Sequence, residues 1–153
     1  MKIKINIQRA TAIPEIPTDR KIRNWVRTAI NRNKPVKDTE LTIRIVDIDE
    51  GTQLNCRWRN ADGPTNVLSF PVAGVEQYIP GLLGDIVICA PVVNNEANNQ
   101  NKPVDAHWAH MVIHGVLHLL GHNHENSEDA EKMEAIEITL LESLGFKNPY
   151  LLT

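Results

Sequence analysis

The 153 residues match the length of one domain, expected over residues 1–153, and 42% of them are hydrophobic, so the chain can bury a core without a disulfide. This composition excludes intrinsic disorder, and no stretch approaches the ~18 consecutive apolar residues of a spanning helix. Residues 1–60 carry 13 Lys/Arg and 7 Asp/Glu, whereas residues 61–153 carry 3 and 12, so the net charge of −3 hides a basic half. That half can present a positive face to an anion.

The cysteines and the start of the chain indicate a reduced compartment. Cys56 and Cys89 are the only two cysteines, with no disulfide framework and no metal-binding pair, and both are expected to be small buried hydrophobes. The first ten residues alternate instead of forming the apolar run of a signal peptide. We therefore expect a cytoplasmic protein.

The first third of the chain predicts two strands and one helix. Residues 2–8 alternate polar and apolar side chains, which is typical of a half-buried strand. A helix follows to about Asn33, capped by Thr18 or Asp19, with an apolar face opposite a basic one. Residues 40–47 alternate again and predict the second strand.

The middle of the chain predicts a short helix and two more strands. Residues 49–59 predict the helix, which breaks at the turn cluster 62–64. Residues 66–70 and 84–89 are rich in β-branched and apolar side chains and are bounded by Gly or Pro, so both are predicted strands. The Asn-rich segment 94–101 is predicted to be a polar connection, which can follow a helical turn.

The last third is predicted to be helical. Pro103 suits the first turn of a long helix over 104–120, which Gly121 ends. Ser127 is expected to cap a final helix, and Gly145 is expected to end it in a left-handed conformation. Strands in the first half and helices in the second predict an α+β fold, in which helices cover a sheet.

The histidines are concentrated in one short segment. All six lie within the 18 residues from His107 to His124, and the other 135 residues contain none. On the predicted long helix, four of them share an arc of about 80°, and side chains four residues apart can clamp one metal ion. A straight helix, however, cannot supply a third ligand to close a tetrahedral site.

The residues after the helix can supply that third ligand. His114, His118 and His124 have the spacing HxxxHxxGxxH, in which Gly121 permits a positive φ and a sharp bend. Three neutral imidazoles leave one tetrahedral position for water, as in a catalytic zinc site. The sequence therefore predicts one divalent ion, with zinc as the first choice, at the end of the long helix.

The remaining histidines are given other roles. His107 and His110 are expected to be helix-face groups or hydrogen-bond partners of the ligands. His122 precedes the bend and is the main alternative to His124 as the third ligand. Asp85 is a candidate acceptor for an imidazole N–H, or simply the residue that begins a strand.

One position separates this motif from the zinc peptidases. Enzymes with the HExxH motif carry a glutamate general base directly after the first histidine, where this chain has Gly115. A glycine leaves room for a bulky substrate or for a close neighbouring strand. A peptidase would need a base from elsewhere, such as Glu125 or Glu128.

Several segments resemble the bacterial YbeY family of rRNA maturation factors. Residues 114–124 resemble the family fingerprint HGxLHLxGYDH, and residues 65–71 match its T(D/N)VLSFP stretch. The GDI strand at 84–88, the LNxxxR helix at 54–59 and the ending LGF at 144–146 follow the family pattern as well. The chain departs from that pattern where His122-Asn123 replace Tyr-Asp and where Ala61 replaces a lysine; Asn123 can still hydrogen-bond, so we expect metal binding to survive.

The resemblance implies a fold, an activity and partners. The fold would be α+β, with a small, mostly parallel sheet of about four strands. The activity would be a metal-dependent, single-strand-type endoribonuclease that matures the 3′ end of small-subunit rRNA and serves ribosome quality control. His114, His118 and His124 would hold zinc, with His114 also catalytic, and Arg59 would contact the phosphodiester. Implied partners are ribosomal RNA, the small ribosomal subunit and a ribosome-associated GTPase, with no membrane.

Two other interpretations remain open at this point. One is a zinc metallopeptidase, and the other is a non-catalytic ribosome assembly factor in which the metal only stiffens the bend. Salt-dependent RNA binding that needs no metal would favour the second of these.

Overall fold

The structure, a computed structural model, describes residues 2–35, 37–72 and 81–151. These residues form four strands and five helices. The strands are β1 (Ile3–Ala10), β2 (Thr39–Val46), β3 (Val67–Pro71) and β4 (Leu82–Cys89). The helices are α1 (Asp19–Arg32), α2 (Ile48–Arg59), α3 (Ala90–Asn99), α4 (Val104–Leu119) and α5 (Ser127–Ser143).

The sheet is small and mostly parallel, and the predicted α+β fold is confirmed. The strands lie in the order β1-β2-β4-β3. The first three run parallel, and the edge strand β3 pairs antiparallel with β4. Ile43 at the centre of the sheet pairs with Ile7 on one side and Ile86 on the other.

Side-chain alternation divides the sheet into two faces. The main core packs against one face, to which β2 contributes Leu41, Ile43 and Ile45. Helices α1 and α4 cover this face and contact each other. The opposite face carries a smaller apolar cluster at the β3 side, which α2 covers in part. Successive residues of β4 thus point to different helices.

The predicted polar connection at 94–101 is wrong, because most of that segment belongs to helix α3. Asparagine is a poor helix former, but tertiary contacts override that preference here. Val93 and Ala97 are buried. Asn94 accepts a hydrogen bond of 2.7 Å from Trp108 on α4, and Glu96 lies 2.9 Å from the Nε2 atom of His107. These two contacts attach α3 to the histidine-bearing helix.

The bend after α4 forms as predicted. Gly121 has φ of +99°. The amide of Gly121 donates a hydrogen bond to the carbonyl of His118, and the amide of His122 donates one to the carbonyl of Leu117. The cap of α5 differs from the expectation, since the side chain of Asn126, not Ser127, accepts the hydrogen bond from the Asp129 amide. Asn126 precedes the first helical residue, where a capping side chain can reach that amide.

The two cysteines, both expected to be buried, differ in the structure. Cys89 is buried as expected, whereas Cys56 is exposed on α2. No helix among the described residues is long and apolar enough to cross a membrane.

Candidate metal centre and catalytic cleft

The three histidines of the HxxxHxxGxxH motif converge at the C-terminal end of α4. His114 and His118 lie one turn apart on the helix, and the bend at Gly121 brings His124 back beside them. Their ring nitrogens lie within 4.8 Å of one another. The Nε2 atoms of His114 and His118 are 3.1 Å apart, close to the about 3.3 Å that separates two ligands of a tetrahedral zinc ion. The donor set therefore fits one divalent ion.

A buried carboxylate on α5 determines which nitrogen of His114 faces this site. Oε1 of Glu137 lies 2.9 Å from Nδ1 of His114. Burial alone would raise the pKa of Glu137, but hydrogen bonds from His110 and His114 outweigh it and lower the pKa to about 2. The ionised carboxylate accepts the Nδ1–H proton, which leaves the Nε2 lone pair of His114 for a metal ion.

His118 is held in the neutral form that a metal ligand requires. Burial, followed by the charges of His114, His124 and Arg59, lowers the pKa of His118 to about 4. At neutral pH its imidazole is therefore uncharged, so one of its two ring nitrogens has a lone pair that a metal ion can use.

Glu137 is the site residue that sequence reasoning missed. It is fully buried, and its carboxylate accepts hydrogen bonds from His110, His114 and the hydroxyl of Tyr150. Burial and the carboxylate together raise the pKa of Tyr150, so its hydroxyl remains a donor. His110, which was expected to be a hydrogen-bond partner near the ligands, contacts Glu137, which in turn contacts His114. His107 instead contacts Glu96 and so connects α4 to α3.

A second group of potential ligands overlaps the first. His110, His114 and Glu137 also place ligand atoms within 4.8 Å of one another. Hydrogen bonding already explains this convergence, because the fully buried carboxylate has three donors around it. We therefore interpret this group as the support of His114 and not as another metal site.

A cleft of about 340 Å³ opens beside the converging nitrogens. Arg59, at the end of α2, reaches this cleft together with His118 and His124. The chain leaves α2 through Asn60 in a left-handed conformation, and the buried Asn55 donates a 2.9 Å hydrogen bond to the Gly63 carbonyl. The loop after Arg59 is thereby fixed, and the exposed guanidinium lines the cleft with two of the three converging histidines. Among the described residues, Ser69, Pro71, Asn123 and Glu125 also line the cleft.

A larger cavity lies elsewhere. Its volume is about 590 Å³, and its lining includes His107, His110 and Tyr150. None of the three converging histidines is among the residues that line this cavity. Of these two cavities, as far as the described residues define them, the smaller cleft is the one lined by Arg59 and by members of the converging histidine group, so it is the candidate site.

Gly115 faces a neighbouring strand and not a substrate. A Cβ atom at this position would lie 2.9 Å from Cγ2 of Ile86 on β4, and the Gly115 carbonyl accepts a 3.2 Å hydrogen bond from Ser69 on β3. Of the two explanations offered for the missing glutamate, the close strand is the one that the structure supports.

Three other sequence expectations have clear outcomes. Asp85 is exposed, and because Ile86 faces α4, its neighbour points to the other face of the sheet. Its suggested role as an imidazole acceptor is wrong. His122 does not belong to the converging group. Asn123 lines the cleft and accepts a 3.2 Å hydrogen bond from the Glu125 amide, which an aspartate could also do.

Comparison with known proteins identifies the class. A family model described as endoribonuclease YbeY matches residues 4–145. The chain therefore belongs to the endoribonuclease YbeY family, whose members are enzymes that hydrolyse RNA in rRNA processing. The solution structure of TM1509 from Thermotoga maritima is similar, with a TM-score of 0.58 and 26% identity; the match covers 92% of this chain and 91% of that one.

The role of Glu137 yields a prediction. Glu137→Gln is expected to lower zinc affinity by about 10- to 100-fold, because His114 loses the charge that orients its ring. Chelator competition on the folded protein measures this change. Glu131→Gln, an exposed change on the same helix, is the matched control and should have no effect. Unchanged zinc affinity in a folded Glu137→Gln protein would contradict the orienting role.

Proposed function

We propose that residues 1–153 form a single metal-dependent endoribonuclease domain that cleaves single-stranded RNA. In this proposal it matures the 3′ end of small-subunit ribosomal RNA and contributes to ribosome quality control. The observation that carries the proposal is the convergence of three imidazoles, two of which line one cleft together with an arginine, in a chain of the endoribonuclease YbeY family.

His114, His118 and His124 would hold the ion, with zinc as the first choice because neutral imidazoles suit it. When bound, a divalent ion supplies Lewis-acid chemistry, since it polarises a phosphoryl oxygen and activates water at neutral pH. The proposed part of His114 in catalysis is supported by its two contacts: Nδ1 lies 2.9 Å from Glu137, and Nε2 lies 3.1 Å from Nε2 of His118. The ring therefore has a fixed orientation before substrate arrives.

Arg59 is proposed to bind the scissile phosphodiester. Its guanidinium is exposed in the cleft, next to His118 and His124. A planar guanidinium can donate to two phosphate oxygens at once and can stabilise the charge that grows in the transition state.

The partners of the proposal follow from the chemistry and the family. Ribosomal RNA is the substrate, the small ribosomal subunit is its carrier, and a ribosome-associated GTPase is a further candidate partner. The compartment would be the cytoplasm.

The experiment is a cleavage assay on structured RNA with the full chain as purified, after chelation, and after zinc is returned. We expect cleavage, loss and recovery in that order. Casein serves as a parallel substrate, because Glu125 lies in the cleft and is the carboxylate that a peptidase would use. Metal-dependent proteolysis without RNA cleavage would replace the proposal with a peptidase. RNA binding without metal dependence or cleavage would indicate an assembly factor.

The role of Arg59 yields a separate prediction. Arg59→Ala is expected to lower RNA cleavage by about 100-fold, the scale of losing one transition-state donor. Arg59→Lys should restore little, because an ammonium cannot make the bidentate contact. Single-turnover cleavage, zinc content and melting temperature are measured together, with Arg32→Ala at the end of α1 as the control. Normal cleavage by Arg59→Ala, or its unfolding, would show that the residue is structural.

A further inference from the structure

One tryptophan is exposed at the end of α2, directly before the cleft residue Arg59. Of the three in the chain, Trp25 and Trp108 are almost completely buried, whereas Trp58 is 61% exposed. An indole of this size is usually mostly buried, so its exposure suggests a surface that is covered by a ligand.

The position of Trp58 connects it to the cleft. Leu54, one turn earlier on α2, packs into the smaller apolar cluster with Phe70. Trp58 continues that helix face and meets Phe70 edge-on, with ring centroids 6.1 Å apart. Phe70 lies between Ser69 and Pro71 on the edge strand β3, and both of these residues line the cleft. The indole therefore contacts the edge strand β3 through Phe70, and in the chain it directly precedes Arg59, which lines the cleft.

Two arginines flank the indole in the chain. The guanidinium carbon of Arg57 lies 5.6 Å from the centre of the Trp58 ring, and Arg59 reaches the cleft. A flat aromatic ring between two cations offers one surface for a base and two for phosphates. This pairing of stacking and charge is the means by which single-stranded nucleic acid is bound without reading its sequence.

We propose that Trp58 is a stacking platform for an unpaired RNA base next to the phosphodiester held at Arg59. This inference rests on the proposed endoribonuclease function and specifies how that site selects its substrate. A base within a duplex is already stacked on both sides, so only an unpaired base can lie on the indole. Stacking there would place the adjacent phosphate between Arg59 and the histidines.

A nucleobase fits this surface better than a partner protein does. Among the described residues, the other large exposed apolar side chains are Ile48, Tyr150 and Leu151. Ile48 begins α2, ten residues and about 15 Å of helix away from Trp58, and the other two lie in the C-terminal segment. Among the described residues, Trp58 therefore has no large exposed apolar side chain closer on its helix than Ile48, whereas a protein interface buries about 800 Å² on each side. One isolated ring with flanking arginines matches one base.

The experiment measures binding of single-stranded RNA to the full chain in a chelator, so that cleavage does not interfere. The probe is a labelled single-stranded oligoribonucleotide, and a copy with abasic central positions is the comparison. We expect Trp58→Ala to weaken binding of the intact oligomer by about 5- to 150-fold, while the abasic oligomer binds both proteins equally. Trp58→Phe should keep most of the affinity. Ile48→Ala, an exposed apolar change on the same helix, should keep all of it.

Intrinsic fluorescence provides a second readout that a structural role would not change. Because Trp25 and Trp108 are buried, quenching by the intact oligomer should come from Trp58 and should disappear in Trp58→Phe. Equal affinity of Trp58→Ala and the parent for the intact oligomer would overturn the inference, whether or not the parent cleaves RNA. Base-dependent binding through Trp58 without metal-dependent cleavage would instead support the platform and reject the nuclease. Absence of any RNA binding by the parent would reject both.

Discussion

His118→Ala is expected to lower zinc affinity by more than about 100-fold and to abolish RNA cleavage. Loss of an outer hydrogen-bond partner already costs about 10- to 100-fold, so loss of a ligand should cost more. His114→Ala and His124→Ala should behave in the same way, because the three nitrogens converge on one position. Zinc content after gel filtration and cleavage of structured RNA are the two measurements.

His122→Ala is the matched control for this series. His122 lies two residues from His124 on the same loop, but its ring does not belong to the converging group. The variant should therefore keep its zinc and its activity. Retention of zinc in His124→Ala together with its loss in His122→Ala would show that the loop turns the other way when metal is bound, and the ligand set would have to be revised.

The converging histidines could be predicted because they depend on local structure. His114 and His118 share a face of any α-helix, and Gly121 permits the bend that returns His124. None of these relations requires knowledge of how distant segments pack. The strand positions were predictable for the same reason, since alternation in β1 and β2 is visible within eight residues, and β3 and β4 stand out by their local composition. The order β1-β2-β4-β3 arises from pairing between distant segments, and its mostly parallel character was available only from the family resemblance.

Glu137 could not be assigned to the site without the packing of α5 against α4. It lies 23 residues after His114, and their contact is tertiary. The sequence nevertheless contained a signal. Met133, Glu137 and Leu141 are spaced four residues apart, so they form one stripe of α5, and all three are buried. A carboxylate in a buried stripe needs a partner, and the nearby histidines are the natural candidates.

The orientation of β4 explains two further outcomes. Ile86 faces α4, so its neighbour Asp85 must face away from the histidines. The same orientation brings Ile86 against Gly115, and the sequence alone left a close strand and a bulky substrate as equal explanations for that glycine. Which explanation holds depends on the register of a strand that lies 29 residues earlier in the chain.

Gly115→Ala is expected to destabilise the protein, although alanine is the better helix former. The new Cβ would lie 2.9 Å from Ile86 Cγ2, and Ile86 is fully buried and has no room to move. Overpacking of this kind costs about 1–3 kcal/mol, against a helix-propensity gain of about 1 kcal/mol. Gly51→Ala on α2 is the comparison with a milder contact, because the nearest atom there, Cys89 Sγ, is 3.2 Å away. Urea unfolding of both variants measures the difference, and an equal or smaller cost at Gly115 would contradict the close contact.

A double variant with Ile86→Ala tests the cause of that cost. Removing the three Ile86 carbon atoms that crowd this position should make Gly115→Ala neutral or stabilising in that background, a coupling of about 1–3 kcal/mol.

Gly115→Glu should be worse than alanine, because it also directs a carboxylate into the contact between α4 and the sheet, where an unpaired charge costs several kcal/mol. A glutamate base directly after His114 would thus displace β4. The architecture excludes the HExxH arrangement at this helix, and the base for any hydrolysis at the three histidines must come from another residue, the metal or the RNA itself.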